Sequence, residues 1–460
     1  MVGRGTLIVI LGFSLIFGVA SQYWNRESLA ATDNFVQYYD ETTVHNLAVS
    51  AANIAADSVF RDPRHTFSGV SDQLDGGTIN MSSQWDILSG DSDLMVTAIG
   101  NYPGTYGNQV DTVQVILSPS RFSRFAFFSN SENGTYFITG DTLTGPYHTN
   151  GSMYLSGVPV IKGSVTTGTG TVPGTLPNAS GDTLKCNSYQ SGVNIPMPTS
   201  LSQYSTAATK TFSNTDANSG DTYDVYLTFG VNSTTGTPTV SFYTSLYTKS
   251  SGTTRIPATG DSTVALSTFE SGGQGVILVN NGDVHVQGTL DGDVTVIAQQ
   301  GPGTSANASN SISAKTPQKN LFMADGSSTP NGNVIIEGNI KYNTDPQTTP
   351  SSQDMLGLVA DNSVAINTQT SQSLTIDAAV FARTGEFTYL NYNVGSTMGY
   401  LNLYGSISNN IRGPVGTFKA GTHTINTGYL KNYRYDSRLA TMHPPSFPST
   451  GTFDIVAWRE

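Results

Sequence analysis

Carboxylates are the residues whose spacing first suggests chemistry. Asp283, Asp291 and Asp293 fall within eleven residues. Carboxylate oxygens grouped that closely are the ligands that calcium takes. A local reading competes with this one. Asp291 and Asp293 flank Gly292, and turns select Asp because it bonds to nearby backbone. Asp361 and Asp377 form a second candidate set. Two carboxyl groups about 5 Å apart, or a wider pair, cleave glycosidic bonds. A polysaccharide-active enzyme is therefore one reading, with these two residues as its carboxylates. The six histidines, at 45, 65, 148, 285, 423 and 443, make no His-Glu-x-x-His or His-x-His pair, so zinc has no support. No Gly-x-Ser-x-Gly elbow, phosphate-binding loop or dinucleotide fingerprint is present. In a Ser-rich chain, the presence of Ser, His and Asp defines no triad. The single cysteine, Cys186, excludes an internal disulfide and a cysteine zinc cluster. No catalytic residue, metal or cofactor is assigned, and the chain reads as non-enzymatic.

Composition narrows the partners. Of 460 residues only 12% are charged, and the net charge is −12. Neutralising phosphates takes clustered Lys and Arg, so nucleic acid is excluded as a partner. Gly (48) and Pro (20) together make up about 15% of the chain. That is below the ~25–30% of a disordered low-complexity chain. The many Ser, Thr, Asn and Tyr side chains leave surface glycans open as a contact.

The N-terminus carries an export and membrane signal. Thr6 to Ala20 is fifteen residues without a charge, with Arg4 before it and Tyr23 and Trp24 after it. As a helix, residues 6–24 cover roughly 28 Å, close to the ~30 Å of a hydrocarbon core. Tyr23 and Trp24 would then be interface anchors, with the bulk of the chain outside the cytoplasm. A leader removed after Ala20 is the rival reading. Residues 25–60 weigh against it. They hold no Pro or Gly. Phe35, Tyr38 or Tyr39, Val44, Leu47 or Ala48, Ala51, Ile54 or Ala55, and Val59 recur at helical steps. Asp62-Pro63 is the expected stop. The apolar stripe of residues 35–59 would lie on the β body or on neighbouring helices.

Beyond about residue 80 the expectation is mainly β. Short Val, Ile, Tyr, Phe and Thr runs alternate with turn residues, as in residues 94–99, 113–117 and 223–229. Residues 163–182, 299–319 and 343–353 read as polar loops. Val276, Val284 and Val294 start alternating runs eight and ten residues apart, and Val364 and Leu374 are ten apart. This spacing suits a β-solenoid or β-helix-like body, most clearly from about 270 to 420. Asn281-Gly282, Asp291-Gly292 and Asn331-Gly332 also suit hairpins, so an antiparallel β-sandwich is the alternative. The division expected is 1–62, membrane-spanning and amphipathic helix; 63–135, β-rich beside that helix; 136–270, β-rich with long loops; 271–427, solenoid-like; and 428–460, an aromatic cap. The tail aromatics Tyr429, Tyr433, Tyr435, Phe447, Phe453 and Trp458 would close a solenoid end or, alternatively, form a glycan platform.

Two resemblances accompany this reading. The stretch Gly-Arg-Gly-Thr-Leu-Ile-Val-Ile-Leu at 3–11, with the helix ending Ala-Val-Ser-Ala-Ala-Asn-Ile-Ala-Ala-Asp-Ser-Val-Phe at 48–60, resembles type IV pilin-like proteins, minor pilins above all. The resemblance implies leader-peptidase cleavage between Gly5 and Thr6, membrane residence and assembly with pilin-like subunits or with itself. Major pilins carry Glu at the fifth mature position, where this chain has Ile10. The departure argues for a minor or membrane-resident role. The segments at 140–151, 282–298, 428–439 and 444–448, with Trp458, resemble bacterial exported proteins with a pilin-like start and a β-helical body. The Gly-x-Val-x-Val-x-Gly rhythm at 282–288 is similar to bactofilins, which polymerise through β-helices. A self-polymerising surface scaffold or adhesin is the alternative that this implies.

Overall fold

The computed structural model describes residues 3–62, 65–86, 93–169, 186–213, 222–248, 254–257, 262–300, 331–367 and 373–460. The chain is mainly β with one long N-terminal helix, and it forms two units. The first is Met1–Pro119 with Thr452–Glu460, and the second is Ser120–Gly451.

In the first unit, α1 runs unbroken from Gly3 to Arg61. Asp62 stands outside it, as expected of a residue before Pro. The helix has two different halves. Every large apolar side chain from Leu7 to Leu29 is exposed. From Val44 onward one stripe is buried: Val44, Leu47, Ala48, Ala51, Ala52, Ala55, Ala56 and Val59. The stripe expected from 35 to 59 therefore covers something only over its second part. Phe35, Tyr38 and Tyr39 are exposed, because period alone does not say where a helix meets its sheet.

That sheet is antiparallel: β1 (Val70–Leu74), β2 (Gly77–Asp86), β3 (Asp93–Gly104) and β4 (Gly107–Arg121) pair in sequence order. The strand Ser449–Arg459 joins beyond β4. Alternation on β3 is strict, with Leu94, Val96 and Ala98 buried between half-buried neighbours. Those residues, with Ile79, Met81, Val113, Val115, Leu117 and Phe453, form one core with the helix stripe. Alanines at the seam bring the helix backbone close to the sheet. A Cβ on Gly100 would fall 2.6 Å from the Val44 carbonyl oxygen and 2.8 Å from the Ala48 nitrogen.

In the second unit most pairing is parallel. Ten strands make one continuous ladder. Its spatial order is Lys210–Ser213, Gln274–Asn280, Asp293–Gln299, Met355–Ala360, Leu374–Tyr389, Thr397–Arg412, Phe127–Ser131, Tyr147–Thr149, Ser164–Thr167 and Ser188–Ser191. Side chains in register stack into a buried column of Ile277, Val296, Leu358, Val380, Ile407, Phe127, Tyr147 and Val165. A second parallel ladder stacks Val225, Val284, Val334, Val364 and Phe387. A third stacks Ile340, Ile376, Leu403, Tyr433, Leu143 and Ile161. All three columns share one core.

The turn at Asn281-Gly282 is not a hairpin. The strands on its two sides, Gln274–Asn280 and Gly282–Leu290, pair in parallel with other strands instead. Asn281, at φ 56°, uses the left-handed region to turn a corner. Hairpins do occur: Thr222–Val231 pairs antiparallel with Pro238–Thr248.

The other side of the ten-strand ladder has its own apolar layer. Val276, Leu278, Ile297, Val359, Phe381 and Phe128 are covered by Phe122, Leu201, Tyr204, Leu439 and Phe447. Of the expected loops, 163–182 contains the strand Ser164–Thr167, with 170–182 outside the described residues. Residues 301–319 lie outside them as well, and 343–353 are non-strand. The tail aromatics do not act as one group. Tyr429 and Tyr433 sit in the parallel core, Phe447 lies in the layer over it, and Phe453 is in the core of the first unit.

Candidate functional site

The feature best placed to act is the first half of α1. Its residues form a helix long and apolar enough to cross a membrane, and none of its most apolar window is buried. Gly5 and Thr6 lie near its start, and both are exposed. Tyr23 and Trp24 are 60% and 73% exposed, so their rings are free to meet an interface. The sequence-level candidates thus share one uncovered helical segment.

Beyond that segment, three polar contacts join the helix to the β3–β4 hairpin, two at its turn and one on β4. The Tyr106 hydroxyl donates to Asp33 Oδ1 at 2.6 Å, the Thr105 amide to Asp40 Oδ2 at 2.9 Å, and His45 Nδ1 meets Asp111 Oδ2 at 2.8 Å. Asp40 is buried, so its bond to an amide at the turn is well shielded from water. Tyr106, hydrogen-bonded to the Asp33 carboxylate, has its hydroxyl pKa raised. These contacts fix where the helix leaves the sheet. Sequence reading missed them, because partners 65 to 73 residues apart show no local pattern.

The structure separates the candidate calcium ligands. Asp283 Oδ1 accepts from the Asn333 amide at 2.8 Å and from its side chain at 3.0 Å. Asp291 accepts from Asn343 at 3.2 Å, and Asp293 from Gln274 at 2.8 Å. Each carboxylate is held by a different neighbour, 50, 52 and 19 residues away in sequence, so these are contacts between strands and not local turn bonds. Among the described residues no three His, Cys, Asp or Glu side chains are placed to hold a metal ion.

Asp361 and Asp377 are likewise not brought together as a catalytic pair. Asp361 pairs with Arg383 Nε. Asp377 lies six positions before Arg383 on the same strand and accepts from the Tyr342 amide at 3.2 Å. Among the histidines, His423 Nδ1 meets Ser156 Oγ at 2.9 Å. Among the described residues no carboxylate is within bonding distance of that ring, so two members of a triad stand without the third.

Several buried carboxyls have raised pKa values. Burial pushes Asp293 to about 7, with the nearby Glu270 carboxylate adding to the rise against Gln274. Burial also raises Asp283 and Asp377, each to about 6. Asp293 Oδ1 is buried without a hydrogen-bond partner, which is the physical reason its charge is disfavoured. When a carboxyl has a higher pKa folded than unfolded, the native state holds the proton more tightly. The stability this contributes is full below the unfolded value and is lost as pH rises through the folded value. The second unit should therefore melt at a higher temperature at pH 5 than at pH 8. Asp293→Asn should flatten that slope. A melting temperature independent of pH over this range would contradict the assignment.

Sequence reading also missed a buried charged network. Arg412 Nη1 donates to Glu132 Oε2 at 2.6 Å, and Tyr147 donates to Glu132 Oε1 at 2.8 Å. Ser129 donates to the same carboxylate. The Arg412 guanidinium lies 3.6 Å from the centre of the Phe137 ring. Nearby, Lys431 donates to Asp141 at 2.6 Å, and burial pulls the Lys431 pKa down despite that partner. An Arg in an alternating strand reads as a surface residue. Its partner lies 280 positions away.

Residues 100–170 match the profile of a family described as a domain of unknown function, DUF4900. No curated protein matches the chain. Among solved structures, the competence-associated pilin ComZ from Thermus thermophilus is similar over 86% of this chain and 86% of its own. Identity is 13% and the TM-score is 0.37, a likeness too loose to establish a shared fold.

Proposed function

We propose that this chain is a non-enzymatic, membrane-anchored structural subunit with a pilin-like N-terminal helix, working outside the cytoplasm. The observation that carries the reading is the two-part nature of α1. One uninterrupted helix presents an uncovered apolar span, then buries its second half against an antiparallel sheet. A soluble fold gains nothing by exposing thirteen large apolar side chains between Leu7 and Leu29. A helix that crosses a bilayer needs them. In this reading Tyr23 and Trp24 sit at the interface, and leader peptidase cuts between Gly5 and Thr6. The partners are pilin-like subunits or further copies of this chain. Ile10 in place of an acidic residue favours the minor-subunit role, since it removes the carboxylate that would need a partner in lipid.

We further propose that the second unit is a β-solenoid, the portion that resembles bactofilins. Its support is the three parallel columns that share one core. Residues 1–62 hold the anchor, and 271–427 is the solenoid-like segment expected from the sequence, with the strands at 127–131, 147–149, 164–167 and 222–231 stacking on it.

N-terminal sequencing of protein from native membranes tests the anchor reading. A start at Thr6, with copurified pilin-like subunits, is the expected result. A soluble product beginning at Ser21 would refute it.

A further inference from the structure

The parallel ladder does not follow chain order at one place. Thr397–Arg412 pairs with Phe127–Ser131, and Thr424–Tyr435 pairs with Thr142–Thr144. Segments almost 300 residues apart in sequence meet there as direct neighbours. The backbone edge at such a joint carries little information, because any extended strand can add to an open edge. Selectivity must come from side chains.

The side chains change character at this joint. In one inward column the residues are Val225, Val284, Val334, Val364 and Phe387. The next position is Arg412, in register with Phe387. Ile411 pairs with Ser131, so Glu132 lies beside Arg412. Both members of that ion pair are buried. The second pair, Lys431 with Asp141, spans the same joint. Asn130 adds a third polar match by donating to Asn410 Oδ1 at 2.8 Å. A buried charge tolerates only a neighbour that neutralises it. An apolar column would accept many strands in many registers.

We infer that Arg412–Glu132, with Lys431–Asp141, is a register lock that keeps the edge at Thr397–Arg412 for the Phe127–Thr149 segment of its own chain, and that a second copy of this chain takes the edge when the lock is broken. A second copy is the occupant because it carries the same segment with the same hydrogen-bonding register. This inference stands apart from the anchoring proposal.

The test uses the full chain in detergent micelles, with two differently tagged populations refolded together. R412E and E132R each place like charges in the joint. Amides of 127–131 should exchange at least tenfold faster in either variant than in the unaltered chain. The chain bearing both substitutions restores an opposite pair and should recover the protection. Mixing the two single variants should give tag-to-tag capture at least tenfold above either variant alone, since the opposite charges then meet between copies. Unchanged exchange in the single variants would overturn the lock, and so would failure of the double variant to recover protection. Recovery in the double variant without capture in the mixture would overturn the second-copy occupant. Should the charge reversals not fold, R412M/E132M removes both charges at similar volume. It should melt near the unaltered temperature yet capture the other tag at least tenfold more. Capture equal to that of the unaltered chain would overturn the inference.

Discussion

A chain carrying Phe13→Arg and Phe17→Arg is expected to leave the membrane fraction with both of its units still folded. The two rings are exposed and touch no core, so the change acts on the anchor alone. An Arg at the centre of a spanning helix costs about 2.5–3.5 kcal/mol on insertion scales. Two together cost roughly 6 kcal/mol, or about four orders of magnitude in partition. Carbonate extraction followed by vesicle flotation reads the shift, and near-ultraviolet circular dichroism reports whether the fold survived. Two-Arg protein that still floats with vesicles would show that the helix is not what holds the chain.

The second large effect concerns the seam between α1 and β3. Gly100→Val places its Cβ against backbone atoms of Val44 and Ala48, at 2.6 and 2.8 Å. Neither atom can swing aside as a side-chain tip can. The helix must lift, and the contacts of Leu47, Ala48 and Ala51 with Val96 and Ala98 loosen with it. Overpacking costs about 1–3 kcal/mol where neighbours can adjust, and a backbone clash lies at the top of that range or above it. Thermal melting should show an early transition for the first unit. Gly100→Ser would give a smaller loss, because its added volume is less. A Val variant with an unchanged melt would mean that the helix is not seated as described.

The long helix was legible in sequence. An uncharged run, a stretch without Pro or Gly, and Asp62-Pro63 are all local signals. The extent of its burial was not. Phe35 and Tyr39 share the period of Val44 and Leu47, and only the sheet's position distinguishes them. Strands such as Asp93–Gly104 and Thr222–Val231 were visible as runs of β-forming residues. Their partners were not visible. Asn281-Gly282 has the residues of a hairpin turn, yet a corner between parallel strands needs the same positive φ. The carboxylates of 283, 291 and 293 showed their spacing in the sequence but not that Asn333, Asn343 and Gln274 each take one of them. The Arg412–Glu132 pair had no local signal.

The placement of the strand Ser449–Arg459 has a temporal consequence. It joins the sheet of the first unit beyond β4, while Ser120–Gly451 intervenes in the chain. Ribosomes deliver β4 more than three hundred residues before they deliver its outer neighbour. For all that time the β4 edge waits bare. A product broken off before residue 449 would keep that edge open and invite clumping or proteolysis, so this one late strand seals a border that every shorter product leaves exposed.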